Sequence, residues 1–344
     1  MSSNILNGAS TIAGLIKPLL RTIYTLIKGT LQLLRAPLSA IGTLVVLGFL
    51  LLAIFGEQIA PYAYDADAIT TRFALRPNSP PDCFAKEPLH IPIVNFDIKY
   101  FDPINAPCQT PFGTTKEGRD VYSRIILGTR EIFRLAGIGT LIAVLIGTTI
   151  GLFAGYQGGW IDEIIGRILD SLLSMPALLL ALILIGTLPD DIIVPIINYE
   201  YNLRENSLLV VLAVVYAPIV ARVVRSVVLS VKVKGFVEAA RLRGESTFYI
   251  LSREILPSVI PALVVEASLR FSYGIFLVAS LGYLGLGTDP PTPNWGLMVS
   301  EAYNDLDFER NPWTLTYPTL AIVILVVSVN LMSDGIKRLV QRSE

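Results

Sequence analysis

Long uncharged apolar runs alternate with shorter polar segments along this chain. Six runs stand out: Leu38–Gln58, Phe133–Gly155, Arg167–Pro189, Ser207–Val228, Ser258–Gly282 and Thr314–Gly335. Each holds roughly 20 mainly apolar residues, the length that carries a helix across a ~30 Å hydrocarbon core. The runs lack the period-two alternation of membrane strands. Six of them cannot all hide inside one water-soluble core. The pattern predicts an all-α integral membrane protein with six transmembrane helices.

Composition agrees. The 344 residues are 53% hydrophobic and only 16% charged, and mean hydropathy is +0.60. Soluble domains carry roughly a quarter charged residues. A net charge of -1 argues against nucleic-acid binding, which needs a basic stripe. Two cysteines and one histidine are too few for a zinc cluster, so no metal or cofactor is expected in this chain.

Lys and Arg in short loops set orientation. Arg222, Arg225, Lys232, Lys234, Arg241, Arg243 and Arg253 follow the fourth run. Lys337, Arg338 and Arg342 lie in the tail, and Lys17, Arg21, Lys28 and Arg35 in the N-terminal segment. With six spans these regions share one side, so both termini are expected in the cytoplasm. The segment Asp289–Trp313 is acidic, as an outer loop can be.

The N-terminal segment lacks the small-residue cleavage site of a secretion signal. On a helix, Lys17, Arg21, Lys28 and Arg35 fall within about 40° of one another. An amphipathic helix lying on the inner membrane surface is expected there. The outer segment Pro61–Thr110 is rich in Pro, Asp and Asn and holds both cysteines. Cys83 and Cys108 either bridge across this loop or remain free thiols; sequence spacing does not decide it. His90 reads as a surface histidine. These readings divide the chain into a cytoplasmic amphipathic helix (1–36), a first span (37–60), an extracytoplasmic loop (61–130), a five-helix domain (131–338) and a cytoplasmic tail (339–344).

One polar stretch, EAARLRGESTFYILSREILP from Glu238 to Pro257, sits between the fourth and fifth runs. Ala239 and Ala240 follow Glu238 on a helical turn. Gly244 permits a left-handed bend or close backbone approach. Ser246 can cap a second short helix, and Pro257 marks entry to the next span. A helix, a break and a second helix at the cytoplasmic surface suit a protein partner better than a catalytic site; an ordinary loop helix is the plain alternative.

Glu238-Ala239-Ala240, Gly244 and Leu256-Pro257 together resemble the EAA loop of ABC importer permeases. Glu254 departs from the apolar residue common there and points to the peptide branch. Three further stretches resemble the second, "C"-type permease of the dipeptide, oligopeptide and nickel importers: PFGTTKEGRDVYSRIILGTR (Pro111–Arg130), GLFAGYQGGWIDEIIGRILDSLLSMPALLLAL (Gly151–Leu182), and LGYLGLGTDPPTPNWGLMVSEA (Leu281–Ala302) with the run after it. The resemblance covers about Pro111–Arg338 and the first span.

That resemblance implies a type I ABC importer permease fold in a bacterial inner membrane. It implies a homologous second permease and two ATP-binding cassette subunits that hold ATP and Mg. It also implies an extracytoplasmic substrate-binding protein. The coupling loop would span 229–257, with Glu238, Ala239, Ala240, Gly244 and Pro257 carrying the coupling role. Peptide cargo is expected, with nickel or another small solute as alternatives.

The residues support this division of labour. The chain has no G-x-x-x-x-G-K-[ST] phosphate loop; Gly113–Gly118, GTTKEG, is the nearest cluster. A single histidine offers no Ser/His/Asp or Cys/His set, so no enzyme activity is expected in this chain. Within the fifth run, Glu266 and Arg270 stand at i, i+4, and Glu266 is roughly 13 Å past Pro257. A lone charge at that depth costs at least about 2.5–3.5 kcal/mol. The pair either lines a pathway or subunit interface, or is a buried salt bridge fixing helix packing. Asp170 is expected to pair with Arg167. Asn330 and Asp334 are expected to hydrogen-bond loop backbone near the last span's end. Gly147, Gly151 and Gly155 form a small-residue series for close intersubunit or intrabundle contact. Pro176, Pro218 and Pro261 should bend helices. A secondary transporter is the alternative reading, yet no internal repeat is visible and one Glu–Arg pair is a thin ion site.

Overall fold

The computed structural model describes residues 33, 36–67, 75–82, 89–91, 96–98, 109–188, 191–194, 199–304 and 306–341. The amphipathic helix expected over 1–36, apart from residues 33 and 36, lies outside them. So do Cys83 and Cys108.

Helix α1 (Pro37–Ile59) starts on a proline, whose missing N–H would find no partner in a first turn anyway. Helix α2 (Val121–Gln157) is capped by Asp120, whose carboxylate accepts from the Ser123 backbone N–H at 2.8 Å. Its 37 residues span roughly 55 Å, well beyond a ~30 Å core. The apolar run marked only the part after Phe133; the polar turns with Arg124, Arg130 and Glu131 belong to the same helix.

The third run is not one straight span. Helices α3 (Gly159–Leu173) and α4 (Ala177–Thr187) are bent by 94° at their junction. Pro176 disfavours helical backbone at the residue before it, and is itself extended at φ -55, ψ 134. Helix α3 is amphipathic and charged, whereas α4 is apolar but only 11 residues long. At roughly 16 Å, α4 reaches about halfway across a membrane.

Helix α5 (Leu203–Val231) leads to α6 (Gly235–Leu242). The short α7 (Thr247–Tyr249) continues through a π-helical turn, Ile250–Ile255, into α8 (Leu256–Tyr283). Helices α9 (Trp295–Asn304) and α10 (Asp307–Arg310) then precede α11 (Pro312–Gln341). Five helical segments are long and apolar enough to cross a membrane, six if the α3–α4 pair counts as one span. Outside the spans lie two antiparallel hairpins, β1 (Leu89–Ile91) with β2 (Phe96–Ile98), and β3 (Asp191–Val194) with β4 (Tyr199–Asn202). His90 falls in β1.

The glycine series of α2 works within the bundle. A Cβ on Gly147 or Gly151 would stand 2.6 Å from the carbonyl of Ala217 or Ala221 on α5, and one on Gly155 2.9 Å from Val228 Cβ. The helices therefore meet backbone to backbone. Pro218, Pro261 and Pro318 lie inside α5, α8 and α11. One apolar cluster fills the bundle around Ile132, Leu135, Leu212, Ile275, Leu281, Trp295 and Leu325. A second joins Val220, Val224, Val228 and Val231 of α5 to Val237, Ala240, Ile250, Ile255 and Val259. Asn330 and Asp334 sit inside α11, which runs on to Gln341, and not at a helix end near loop backbone.

Candidate functional site

The polar stretch after α5 folds into a surface element with two faces. Val237 and Ala240 are fully buried in the second cluster, against Ile250, Ile255 and Val259. Each buried Val or Ile contributes roughly 1.5–3 kcal/mol, which fixes α6 to the ends of α5 and α8. Glu238, Ala239 and Leu242 point outward, Leu242 being 84% exposed. Phe248, beyond the turn, is 81% exposed.

Gly244 turns the chain at φ +79 with nothing within 4 Å of an added Cβ. The bend, not close approach, is what requires glycine here. The Ser246 side chain accepts from the Tyr249 N–H at 3.2 Å, the cap expected of it. Pro257 stands in the first turn of α8, directly after the π-helical turn. In that turn the Leu256 N–H reaches back to the Leu251 carbonyl. Two contacts invisible in the sequence brace the element. The Arg241 guanidinium lies 4.9 Å over the Tyr156 ring of α2. Arg243 stands 3.6 Å from Glu254, which gives the family departure at Glu254 a physical role across the Gly244 turn.

Deeper in the bundle, Arg270 Nε and Glu266 Oε1 are 2.7 Å apart, with side chains 13% and 11% exposed. The approach is close but misaligned, so these two atoms make an ion pair without a hydrogen bond. Arg270 also lies 4.9 Å over the ring of Tyr273 and 5.9 Å over that of Tyr216. The Tyr216 hydroxyl donates to the Tyr273 carbonyl at 2.9 Å. A charge pair with two aromatic walls and unspent hydrogen-bonding capacity can meet a polar group from outside this chain.

Helix α3 is tied to α5 by Asp162–Arg225 and Asp170–Arg222. Asp170 thus pairs across helices, and Arg167 pairs with Glu163 at 2.7 Å instead. Residues three apart on a helix were the natural guess; the bend at Pro176 swings α3 onto α5 and supplies a better partner.

At the opposite end of α2, α9 is seated by Trp295, which is fully buried and donates to the Ile125 carbonyl at 3.0 Å. Arg124 donates to Glu301 of α9 at 2.9 Å. Burial raises the Asp120 carboxyl above its usual range, against the lowering effect of its hydrogen bonds from Ser123. The polar feet of the long loop are ordered. Asp82 accepts from the Gln109 and Thr110 N–H groups at 2.8 and 2.9 Å, and Asn311 donates to Asn78 at 2.5 Å. Among the described residues no cluster of metal-ligating side chains occurs.

Membrane-length helices, a rigid surface helix at one end and a paired charge inside the bundle define a multi-span transport protein. Residues 147–343 match the family "binding-protein-dependent transport system inner membrane component", and residues 30–81 match the "N-terminal TM domain of oligopeptide transport permease C". The chain belongs to this family, the permease subunits of ABC importers.

Among its relatives is the glutathione transport system permease protein GsiD of Escherichia coli O1:K1 / APEC. It is 32% identical over 242 residues, 69% of this chain and 75% of that protein. The di/tripeptide transport system permease protein DppC of Pseudomonas aeruginosa (strain UCBPP-PA14) is 34% identical over 225 residues, 65% of this chain and 69% of that protein. The inward-facing MetNI methionine ABC transporter shares 19% identity at a TM-score of 0.48, over 63% of this chain and 96% of that one.

Proposed function

We propose that this chain is the C-type permease of a peptide importer. It forms half of the substrate pathway with a homologous permease in the bacterial inner membrane, among lipids. Two separate ATPase subunits, holding ATP and Mg, drive it from the cytoplasm, where both termini lie. An extracytoplasmic binding protein delivers dipeptides or oligopeptides. Glu238, Ala239, Ala240, Gly244 and Pro257 couple it to one ATPase. Glu266 and Arg270 line the pathway or the interface between the permeases.

The observation that carries this reading is the two-faced α6. Val237 and Ala240 lock it to the transmembrane helices, while Glu238 and Ala239 are presented outward. A load applied to the outer face is therefore transmitted to α5 and α8. The relatives named for glutathione and for di/tripeptides support peptide cargo. Cys83 and Cys108 form a disulfide in this reading. The neighbours of the two cysteines, Asp82 and Gln109, are hydrogen-bonded at 2.8 Å, which supports their proximity.

The test is uptake into vesicles reconstituted with all four kinds of partner. Peptide accumulation should require ATP and be lost in Glu238→Lys. Accumulation driven by an ion gradient without ATP would instead establish the secondary-transporter alternative.

A further inference from the structure

Arg124 is 1% exposed, and only its Nη1 is satisfied, by Glu301 at 2.9 Å. Its Nε and Nη2 have no hydrogen-bond partner. The Arg119 guanidinium stands 3.8 Å from the same Glu301, and its Nε is also unpartnered. One buried acceptor beside them is equally unused, Asp120 Oδ1. The other oxygen of Asp120 takes the N–H and hydroxyl of Ser123 at 2.8 and 2.6 Å. Asp120 and Arg124 are four residues apart at the start of α2, so their side chains share a face. A bound anion does not explain the spare N–H groups. The pocket beside Arg124 is lined by Glu117, Glu301 and Asp307, and Lys116 is its only other cation.

Helix α9 is held differently at its two ends. At its start, Trp295 is bonded to the Ile125 carbonyl, and a Cβ on Gly296 would fall 2.0 Å from the Ala279 carbonyl oxygen. That end is a fixed seat. Glu301 lies six residues on, roughly 9 Å away, and its tie to Arg124 is a charged hydrogen bond. Beyond α9 the chain passes through Leu306 at φ +54, a left-handed conformation strained for leucine. A swing of α9 about Trp295 would part Glu301 from Arg124. A buried guanidinium left alone is strongly unfavourable, so the swing needs a second acceptor.

We propose that Arg124 is a positioning residue acting as a two-place latch, holding α9 to α2 through Glu301 here and passing to Asp120 when α9 swings away. The latch clamps the end of the bundle opposite the coupling helix. It rests on the importer reading only for the occasion of the swing, not for its geometry or for the cargo.

Hydrogen exchange of the complete transporter in lipid nanodiscs tests it, read on the backbone amides of 295–304. Glu301→Gln removes one arm and should speed their exchange at least about tenfold, the worth of one charged hydrogen bond. Asp120→Asn removes the other arm while still capping Ser123, and should slow the same amides by a similar factor. A static ion pair predicts no change for Asp120→Asn. Unaltered or faster exchange in that variant overturns the latch, as does unaltered exchange in Glu301→Gln. If Glu301→Gln does not assemble, Asp120→Asn decides alone. Failure of the importer reading would show as absent ATP-driven uptake with the opposed exchange shifts intact.

Discussion

Arg270→Leu isolates the charge pair inside the bundle. Arg270 stands 2.7 Å from Glu266, whose residue is 8% exposed. Removing one member of a buried pair leaves an uncompensated charge and destabilises by about 3–5 kcal/mol. The side chains are 13% and 11% exposed, so solvent screens little of this. Loss of the contact with the Tyr273 ring, 4.9 Å away, adds about 0.5–1 kcal/mol. Replacing both residues by leucine removes both charges, and such apolar exchanges are often close to neutral. Yield of the extracted complex and uptake per assembled complex separate the two roles. Arg270→Leu should assemble at least about tenfold less well, consistent with a loss above 1.4 kcal/mol. The double variant should assemble nearly normally but transport slowly, because the pathway has lost its polar station. Wild-type yield and uptake for Arg270→Leu would refute the reasoning outright. A double variant that transports normally would reduce the pair to packing.

Three further outcomes follow from particular contacts. Gly244→Val should lower peptide-stimulated ATP hydrolysis severely and Gly244→Asn mildly, since a left-handed residue with a Cβ costs roughly 1–2 kcal/mol and asparagine tolerates it best; equal activities would exclude the bend as the cause. Gly151→Leu should lower the melting temperature through overpacking of about 1–3 kcal/mol against Ala221 and Val224, whereas Gly166→Leu, which meets nothing within 4 Å, should not. Cys83 and Cys108 should resist alkylation until reduced, and labelling of both without reductant would remove the proposed bridge.

Apolar length carried most of the architecture into view, because a membrane span must satisfy its backbone internally and cover itself with apolar side chains. The coupling element was equally legible: Gly244 and Ser246 act through local backbone rules that do not depend on the rest of the fold. Partners across the bundle were not. Asp170 meets Arg222, and Arg124 meets Glu301, 177 positions later, through helix crossings that no periodicity encodes. The break at Pro176 was visible as a proline, but its size was not. It depends on α3 finding Arg222 and Arg225, and on α4 being too short to complete a crossing. The polar outer turns of α2 escaped for the opposite reason: hydropathy marks where lipid begins, not where a helix does.

The pairing of Asp82 with Gln109 and Thr110 has a consequence for how such permeases diversify. Residues 83–108 leave and rejoin the scaffold through a single doorway. Doubling the length of a flexible insertion there changes its closure free energy by only ~0.6 kcal/mol. The bundle is therefore indifferent to what is grafted at that point, and new outward-facing attachments can be acquired, exchanged or trimmed without retuning the transport machinery.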